Sequence, residues 1–205
     1  MAKYERKDPV YRDARAAGYR SRSALKLREI DRRFRVLKAG DRVLDLGCWP
    51  GGWLQVAAQA VGDAGRVVGV DIKAVEDLGL GNVTTVLGDL SEAAVRERAV
   101  SALGGDADVV LCDMAPQLSG VRLADSSKQQ GLAELALSMA RRCLGADGRL
   151  VIKLFSGIEA EASALLKRDF KKLSRFRPDA TRKGSSEIYA VASGPSWLGG
   201  DHRGG

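Results

Sequence analysis

Short apolar runs alternate along this chain with longer stretches in which apolar residues recur every three or four positions. The runs are "RVLDL" (42–46), "RVVGVD" (66–71), "NVTTVLG" (82–88), "ADVVLCD" (107–113), "RLVIKLF" (149–155) and "EIYAVAS" (187–193). Each is short and nearly continuous in apolar residues, so each predicts a buried strand. A further strand fits 170–176. Helical spacing covers 21–36, where Leu27, Ile30 and Phe34 share one face and Ser21 or Ser23 serves as N-cap. It returns at 53–61, 91–102, 127–143 and 157–168. The stripe of 127–143 is Leu132, Leu135, Ala136, Met139 and Cys143, and Ser156 with Glu159 suits a capping box. This alternation predicts an α/β fold: a doubly wound, mostly parallel seven-stranded sheet with helices on both faces. Such sheets bind ligands at the carboxyl ends of their strands, where the strand order reverses. Chemistry is therefore expected at Gly47–Trp53, Asp71, Asp89, Asp113 and Lys153.

The first strand runs into "DLGCWPGGW" (45–53) and then into helix-forming "WLQVAAQAV". Strand, glycine turn and helix form a nucleotide-binding corner. A dinucleotide fingerprint needs a glycine where Trp49 stands, because backbone must approach a pyrophosphate there; NAD and FAD are disfavoured. No Gly-Lys-Ser/Thr follows, so a phosphate-binding P-loop is excluded. Asp71, twenty residues beyond Gly51, can accept both ribose hydroxyls of an adenosine. Asp89 can accept from an adenine amino group, or it can simply cap the next helix. A nucleoside without phosphates fits this set, and S-adenosylmethionine, whose sulfonium suits an acidic lining, is the common cofactor of that description.

Composition narrows the chemistry. The only histidine is His202, in the glycine-rich "GPSWLGGDHRGG". Proton transfer must then use Lys, Asp, Glu, Tyr or Cys, and no metal site is expected. Cys48, Cys112 and Cys143 are far apart and show no metal-ligand spacing, which suggests a reduced, cytoplasmic protein. No apolar run is long enough to span a membrane, and the start lacks the apolar core of a secretory signal.

The net charge is +7, and it is clustered: residues 1–35 carry +7 and residues 167–183 carry +6, leaving an acidic body. Two basic segments on an acidic body suit a polyanion such as RNA, although solvated helix faces have the same pattern.

Lysine inside an apolar strand is costly unless it reaches the strand end and has a task, which marks Lys153 in "VIKLF". Glu187 opens the last strand, and Lys26 lies in "SALKL".

Together "SRSALKL", "DLGCWPGGW", "CDMAPQLSG", "VIKLF" and "SSEIYAV" resemble the RrmJ/FtsJ family of ribosomal RNA ribose methyltransferases, over about Tyr19 to Ser193. The resemblance implies a Rossmann-like class I S-adenosylmethionine-dependent methyltransferase. It implies a catalytic tetrad at Lys26, Asp113, Lys153 and Glu187, and cofactor contacts at Gly51, Trp53, Asp71, Asp89 and Asp113. Cys48 and Trp49 depart from the small residues frequent in the family. The expected reaction is methylation of the ribose 2′-hydroxyl of a uridine in large-subunit (23S) ribosomal RNA, in the A-loop of the assembled 50S particle. Alternatives are a transfer RNA or another RNA as substrate, or a non-catalytic ribosome-assembly factor that binds RNA.

Lys153 is the candidate base, made easier to deprotonate by Lys26, or else a charged group that orients the oxygen. Asp113 and Glu187 would hold the two lysines. Arg20, Arg22, Arg32, Lys171, Lys172 and Arg175 are the candidate RNA contacts. The expected organisation is a basic N-terminal helical segment (1–35), a methyltransferase domain (36–194) and a flexible tail (195–205), acting as a monomer.

Overall fold

The computed structural model describes residues 9–116, 122–155, 157–182 and 184–198. Seven strands form one sheet: β1 (Arg42–Leu46), β2 (Arg66–Asp71), β3 (Val83–Leu87), β4 (Ala107–Cys112), β5 (Leu144–Phe155), β6 (Phe170–Phe176) and β7 (Glu187–Pro195). The helices are α1 (Pro9–Ala16), α2 (Ser23–Phe34), α3 (Gly52–Val61), α4 (Ala93–Leu103), α5 (Arg122–Cys143) and α6 (Glu159–Asp169). The sheet order is β3-β2-β1-β4-β5-β7-β6. Chain order reverses between β1 and β4, so their carboxyl ends open the crevice where a ligand is expected.

Side chains alternate across a strand, and here the alternation sorts the whole sheet. Leu44, Val68, Val110, Ile152 and Ala190 face α4, α5 and α6. Val43, Val67, Val109, Val151 and Tyr189 face α1, α2 and α3. The pairings Leu44↔Val68, Val110↔Leu150 and Ile152↔Ala190 keep even numbers on one face through these strands, whereas β6 reverses the parity, with Leu173 opposite Ala192. Asp45, Asp71, Asp113, Lys153, Glu187 and Tyr189 all carry odd numbers, so the strands aim them towards the α1–α3 side. Helix α2 completes that side: Ala24, Leu27 and Ile30 are fully buried in the same core as Val43 and Trp53. The basic N-terminal region is thus built into the sheet's covering layer from α2 onward.

The seven-stranded sheet is mostly parallel, as expected, and β7 is the strand that runs antiparallel, to both β5 and β6. Parallel neighbours need a crossover of about a dozen residues or more, usually helical, and only 177–186 joins β6 to β7. Helix α2 starts after Arg22 with no side-chain cap; Ser21 and Ser23 pair their hydroxyls with each other at 2.7 Å instead. The chain beyond Pro195 also stays attached for three residues, because Trp197 packs edge-on against Phe170 at 5.2 Å. Ser156 and His202 lie outside the described residues; α6 itself begins after Ile158 with no side-chain cap. No helix among the described residues is long and apolar enough to cross a membrane.

Candidate active site

The turn after β1 is built by glycines at which a side chain would be strained or crowded. Gly47 has φ +80°, and a Cβ there would lie 2.5 Å from Cγ of Met114. Gly51 has φ +110° and sits against Leu78 and Val75. A Cβ on Gly52 would lie 2.1 Å from the Ser21 hydroxyl, so α3 starts pressed against the entry to α2. The N–H groups of Gly47 and Cys48 both donate to the Val70 carbonyl, at 2.9 and 3.2 Å. Asp71 then ties the turn to β2: Oδ2 accepts the Trp49 N–H and Oδ1 accepts the Lys73 N–H, both at 2.9 Å.

Around this turn the expected cofactor residues divide. Asp71 and Asp113 are partly exposed at the ends of β2 and β4. Asp89 is exposed and accepts the Ser91 N–H at 2.8 Å; this bond, with one from the Ser91 side chain, holds its carboxyl below the usual range. The Trp53 ring does not line the crevice. It is buried, donates Nε1–H to the Ser23 carbonyl at 2.8 Å and lies 5.8 Å from the Tyr189 ring. Its side chain therefore locks α2 to α3, and only its backbone stays at the turn.

The four residues expected to share the chemistry meet as two ion pairs. Lys26 Nζ pairs with Glu187 Oε1, both side chains about nine-tenths buried. Lys153 Nζ lies 3.0 Å from Asp113 Oδ1 and donates to the Asp113 carbonyl at 2.5 Å. Tyr189, opposite Lys153 across β5 and β7, joins the pairs: its hydroxyl donates to Asp113 Oδ1 at 2.7 Å, and Lys26 Nζ stands 5.8 Å from its ring centre. Lys26 is thus neutralised by its own carboxylate, which removes the simple picture of one bare ammonium repelling another. A cavity of about 430 Å³ lined by Arg22, Lys26, Arg182, Ser185 and Glu187 opens beside the foursome. The three thiols are buried and pushed up by that burial, Cys112 and Cys143 to about 12, so none is a ready nucleophile.

The basic residues are less uniform than their sequence clustering implies. Arg20 donates to the carbonyls of Glu76 and Asp77, at 2.9 and 2.6 Å, and pins the β2–β3 loop. Arg22 donates to the Ala180 carbonyl at 3.3 Å, and Arg175 is paired with Glu159 at 2.5 Å. Lys171 and Lys172 are exposed on edge strand β6, and Arg32 is exposed on α2. Arg32 borders a larger cavity, about 580 Å³, between α2 and α3, which holds none of the foursome.

Known proteins share both the sequence and the fold. The family model described as FtsJ-like methyltransferase matches residues 19–195. The chain belongs to the FtsJ-like methyltransferases. A relative from Methanothermobacter thermautotrophicus named ribosomal RNA large subunit methyltransferase E is 41% identical over 91% of this chain and 89% of that protein. One of the same name from Syntrophobacter fumaroxidans is 45% identical over 92% of this chain and 95% of that protein. Among solved structures, a Plasmodium falciparum protein provisionally named a ribosomal RNA methyltransferase superposes with TM-score 0.72 at 25% identity, covering 86% of this chain and 98% of that one. Fibrillarin from Aeropyrum pernix shares the fold, with TM-score 0.52 at 18% identity over 76% of this chain and 67% of that one.

Within this FtsJ-like methyltransferase, two residues of the site escaped the sequence reading. Tyr189 stood in plain view in "SSEIYAV", where a tyrosine on an apolar strand needs a partner for its hydroxyl. Asp45, in "DLG", is completely buried on β1 beneath the glycine turn. Residues 117–120, which complete "DMAPQLSG", lie outside the described residues. The residues present fit a cationic nucleoside: the carboxylates at the strand ends suit a positive group and oppose a pyrophosphate, and the turn offers backbone rather than a lysine.

Proposed function

We propose that this FtsJ-like methyltransferase methylates the ribose 2′-hydroxyl of a uridine in large-subunit ribosomal RNA. The site is the A-loop, reached in the assembled 50S particle, and the enzyme acts in the cytoplasm as a monomer. S-adenosylmethionine supplies the methyl group as a sulfonium, which needs little further activation. The single observation that carries the reading is the pairing of Lys153 with Asp113 and of Lys26 with Glu187 beside the glycine turn.

The protein's task is alignment and charge control. Asp71 and the turn from Gly47 to Gly51 would hold the nucleoside, Asp89 would accept from the adenine amino group, and Asp113 would complete the cofactor contacts. The Lys153 ammonium donates one N–H to the Asp113 carbonyl and stands in ion-pair contact with its carboxylate. An N–H beyond these contacts is left to donate to the ribose oxygen and fix the direction of its lone pair. This favours Lys153 as an orienting cation over Lys153 as the base. Lys26, set by Glu187, borders the cavity where the target ribose enters. Lys171, Lys172 and Arg32 are exposed cations available to phosphates, and the basic N-terminal segment adds further positive charge. A 2′-hydroxyl is what separates RNA from DNA at such a site.

The deciding experiment is mass spectrometry of ribosomal RNA nucleosides from a deletion strain. One missing 2′-O-methyluridine, mapped to a large-subunit fragment and restored by the purified protein on 50S particles, is expected. Full methylation in the deletion strain would refute the assignment.

A further inference from the structure

Asp45 is an anomaly among the buried carboxylates. Asp41 is met by Arg149 at 3.0 Å and by the Lys38 N–H at 2.8 Å. Asp169 is met by Arg141 and Arg168. Asp45 is fully buried, and neither of its oxygens has a hydrogen-bond partner. A bare carboxylate in that position would cost several kcal/mol. A buried polar group left unsatisfied calls for an explanation in ligand, water or protonation.

Its surroundings supply one. On β1 it lies between Gly69 of β2 and Leu111 of β4, on the odd-numbered face that carries the site. Gly69 has no side chain to offer; the space above it is taken by Cys48, since a Cβ there would lie 2.7 Å from Sγ. The charges facing Asp45 are Asp71 from the end of β2 and Asp113 from the end of β4, both negative. Asp71 is stabilised by two backbone N–H groups and Asp113 by Lys153 and Tyr189. Of the three, only Asp45 has no compensating donor. Burial first, then Asp113 and Asp71, push its carboxyl well above the usual range.

We propose that Asp45 keeps its proton in the cofactor-free protein and gives it up when S-adenosylmethionine seats over the strand ends, so that the buried carboxyl senses the cofactor's positive charge. The inference rests on the cofactor reading above. The step breaks only the carboxyl O–H bond, and the proton goes to solvent. The cation acts on Asp45 through the field at short range in a low-dielectric interior, without contact. S-adenosylmethionine carries a sulfonium, an ammonium and a carboxylate, a net charge of about +1, whereas its thioether product has lost the sulfonium. Methyl transfer thereby removes the charge that favoured ionised Asp45. The carboxyl takes a proton back, and the hold on the spent cofactor loosens. The same carboxyl thus favours the methyl donor over its product.

The test is calorimetry of S-adenosylmethionine and S-adenosylhomocysteine binding to the whole protein near neutral pH, in two buffers of different ionisation enthalpy. The expected result is release of about one proton per S-adenosylmethionine bound and a clearly smaller fraction per S-adenosylhomocysteine. Asp45→Asn should release none with either and should narrow the preference for donor over product by about tenfold. Should that variant not fold, infrared difference spectra of the unaltered protein give the same answer. The C=O stretch of a protonated carboxyl should vanish on adding S-adenosylmethionine. Heats that do not change with buffer, or a band that stays, would overturn the proposal while leaving the cofactor reading intact. No binding of either compound would overturn both.

Discussion

The Tyr189 hydroxyl donates at 2.7 Å to Oδ1 of Asp113, the same oxygen that stands 3.0 Å from Nζ of Lys153. A hydrogen bond and an ion-pair contact on one oxygen leave the carboxylate little freedom, and Lys153 takes its direction from that aspartate. Burial first, and then the negative charges of Asp113 and Glu187, push the tyrosine well above its ordinary range, so it remains a donor at any working pH. Tyr189→Phe removes one bond and leaves the ring packing in place. We expect a stability loss of about 1–2 kcal/mol, unchanged affinity for S-adenosylmethionine, and a single-turnover methylation rate lower by roughly five- to tenfold. Urea unfolding, calorimetry and rapid-quench methylation read the three quantities. An unchanged rate would show that Lys153 needs no help from Tyr189.

The Lys26–Glu187 pair separates stability from chemistry. Its side chains are only 8% and 12% exposed. Lys26→Met leaves Glu187 buried and unpaired and should cost about 3–5 kcal/mol. Adding Glu187→Leu removes the stranded charge and should restore most of that loss. Methylation should be abolished in the single and in the double variant alike, because the pair borders the substrate cavity. Chemical denaturation beside a methylation assay tests both halves. Recovered activity in the double variant would reduce the pair to packing.

Much of this was legible in advance for identifiable reasons. Apolar runs of five to seven residues fixed β1, β2 and β4 to the residue or nearly so, because their burial on both faces leaves no alternative pattern. Glycine where φ is positive marked the turn, and Lys153 was conspicuous as a charge among valine, isoleucine and leucine. Partners were harder to read. Nothing local says that Arg20 turns back to hold Glu76 and Asp77, because a hydrogen bond across 56 residues depends on where α2 packs. Nothing local says that the Trp53 indole N–H finds the Ser23 carbonyl, an acceptor that exists only once α2 lies over α3. Asp45 read as one polar residue in an apolar run, and its isolation follows from three strands ending side by side.

The basic residues should now behave as two groups. Arg20→Ala frees the β2–β3 loop, and Val75 and Leu78 of that loop pack against Gly51. It should therefore weaken S-adenosylmethionine binding as well as RNA binding. Lys171→Ala with Lys172→Ala removes exposed charge only. It should leave cofactor affinity alone and lower the log–log salt slope of RNA binding by roughly 0.7–0.9 for each phosphate that is no longer neutralised. Calorimetry and filter binding over a salt series distinguish them. An unaltered slope for the lysine variant would mean that β6 does not face RNA.

The pH dependence of stability gives Asp45 an independent signature. In the unfolded chain its carboxyl ionises near its ordinary value of 3.8, whereas in the cofactor-free fold it stays protonated to well above that. Between the two values the folded state binds the extra proton, so stability is full below the lower value and falls as pH rises through the window. Asp45→Asn cannot ionise in either state. It should match the parent in acid and become the more stable protein as pH rises, with the gap growing until the folded carboxyl itself titrates. Asp89, whose carboxyl is held low, acts in the opposite sense, but it is present in both proteins and cancels in the difference. Urea midpoints of parent and variant, measured without cofactor from pH 4 to neutrality (about 7, where a usual carboxyl is fully ionised), give that difference directly. A gap that stays constant with pH would mean that Asp45 titrates normally and is satisfied by water rather than by its own proton.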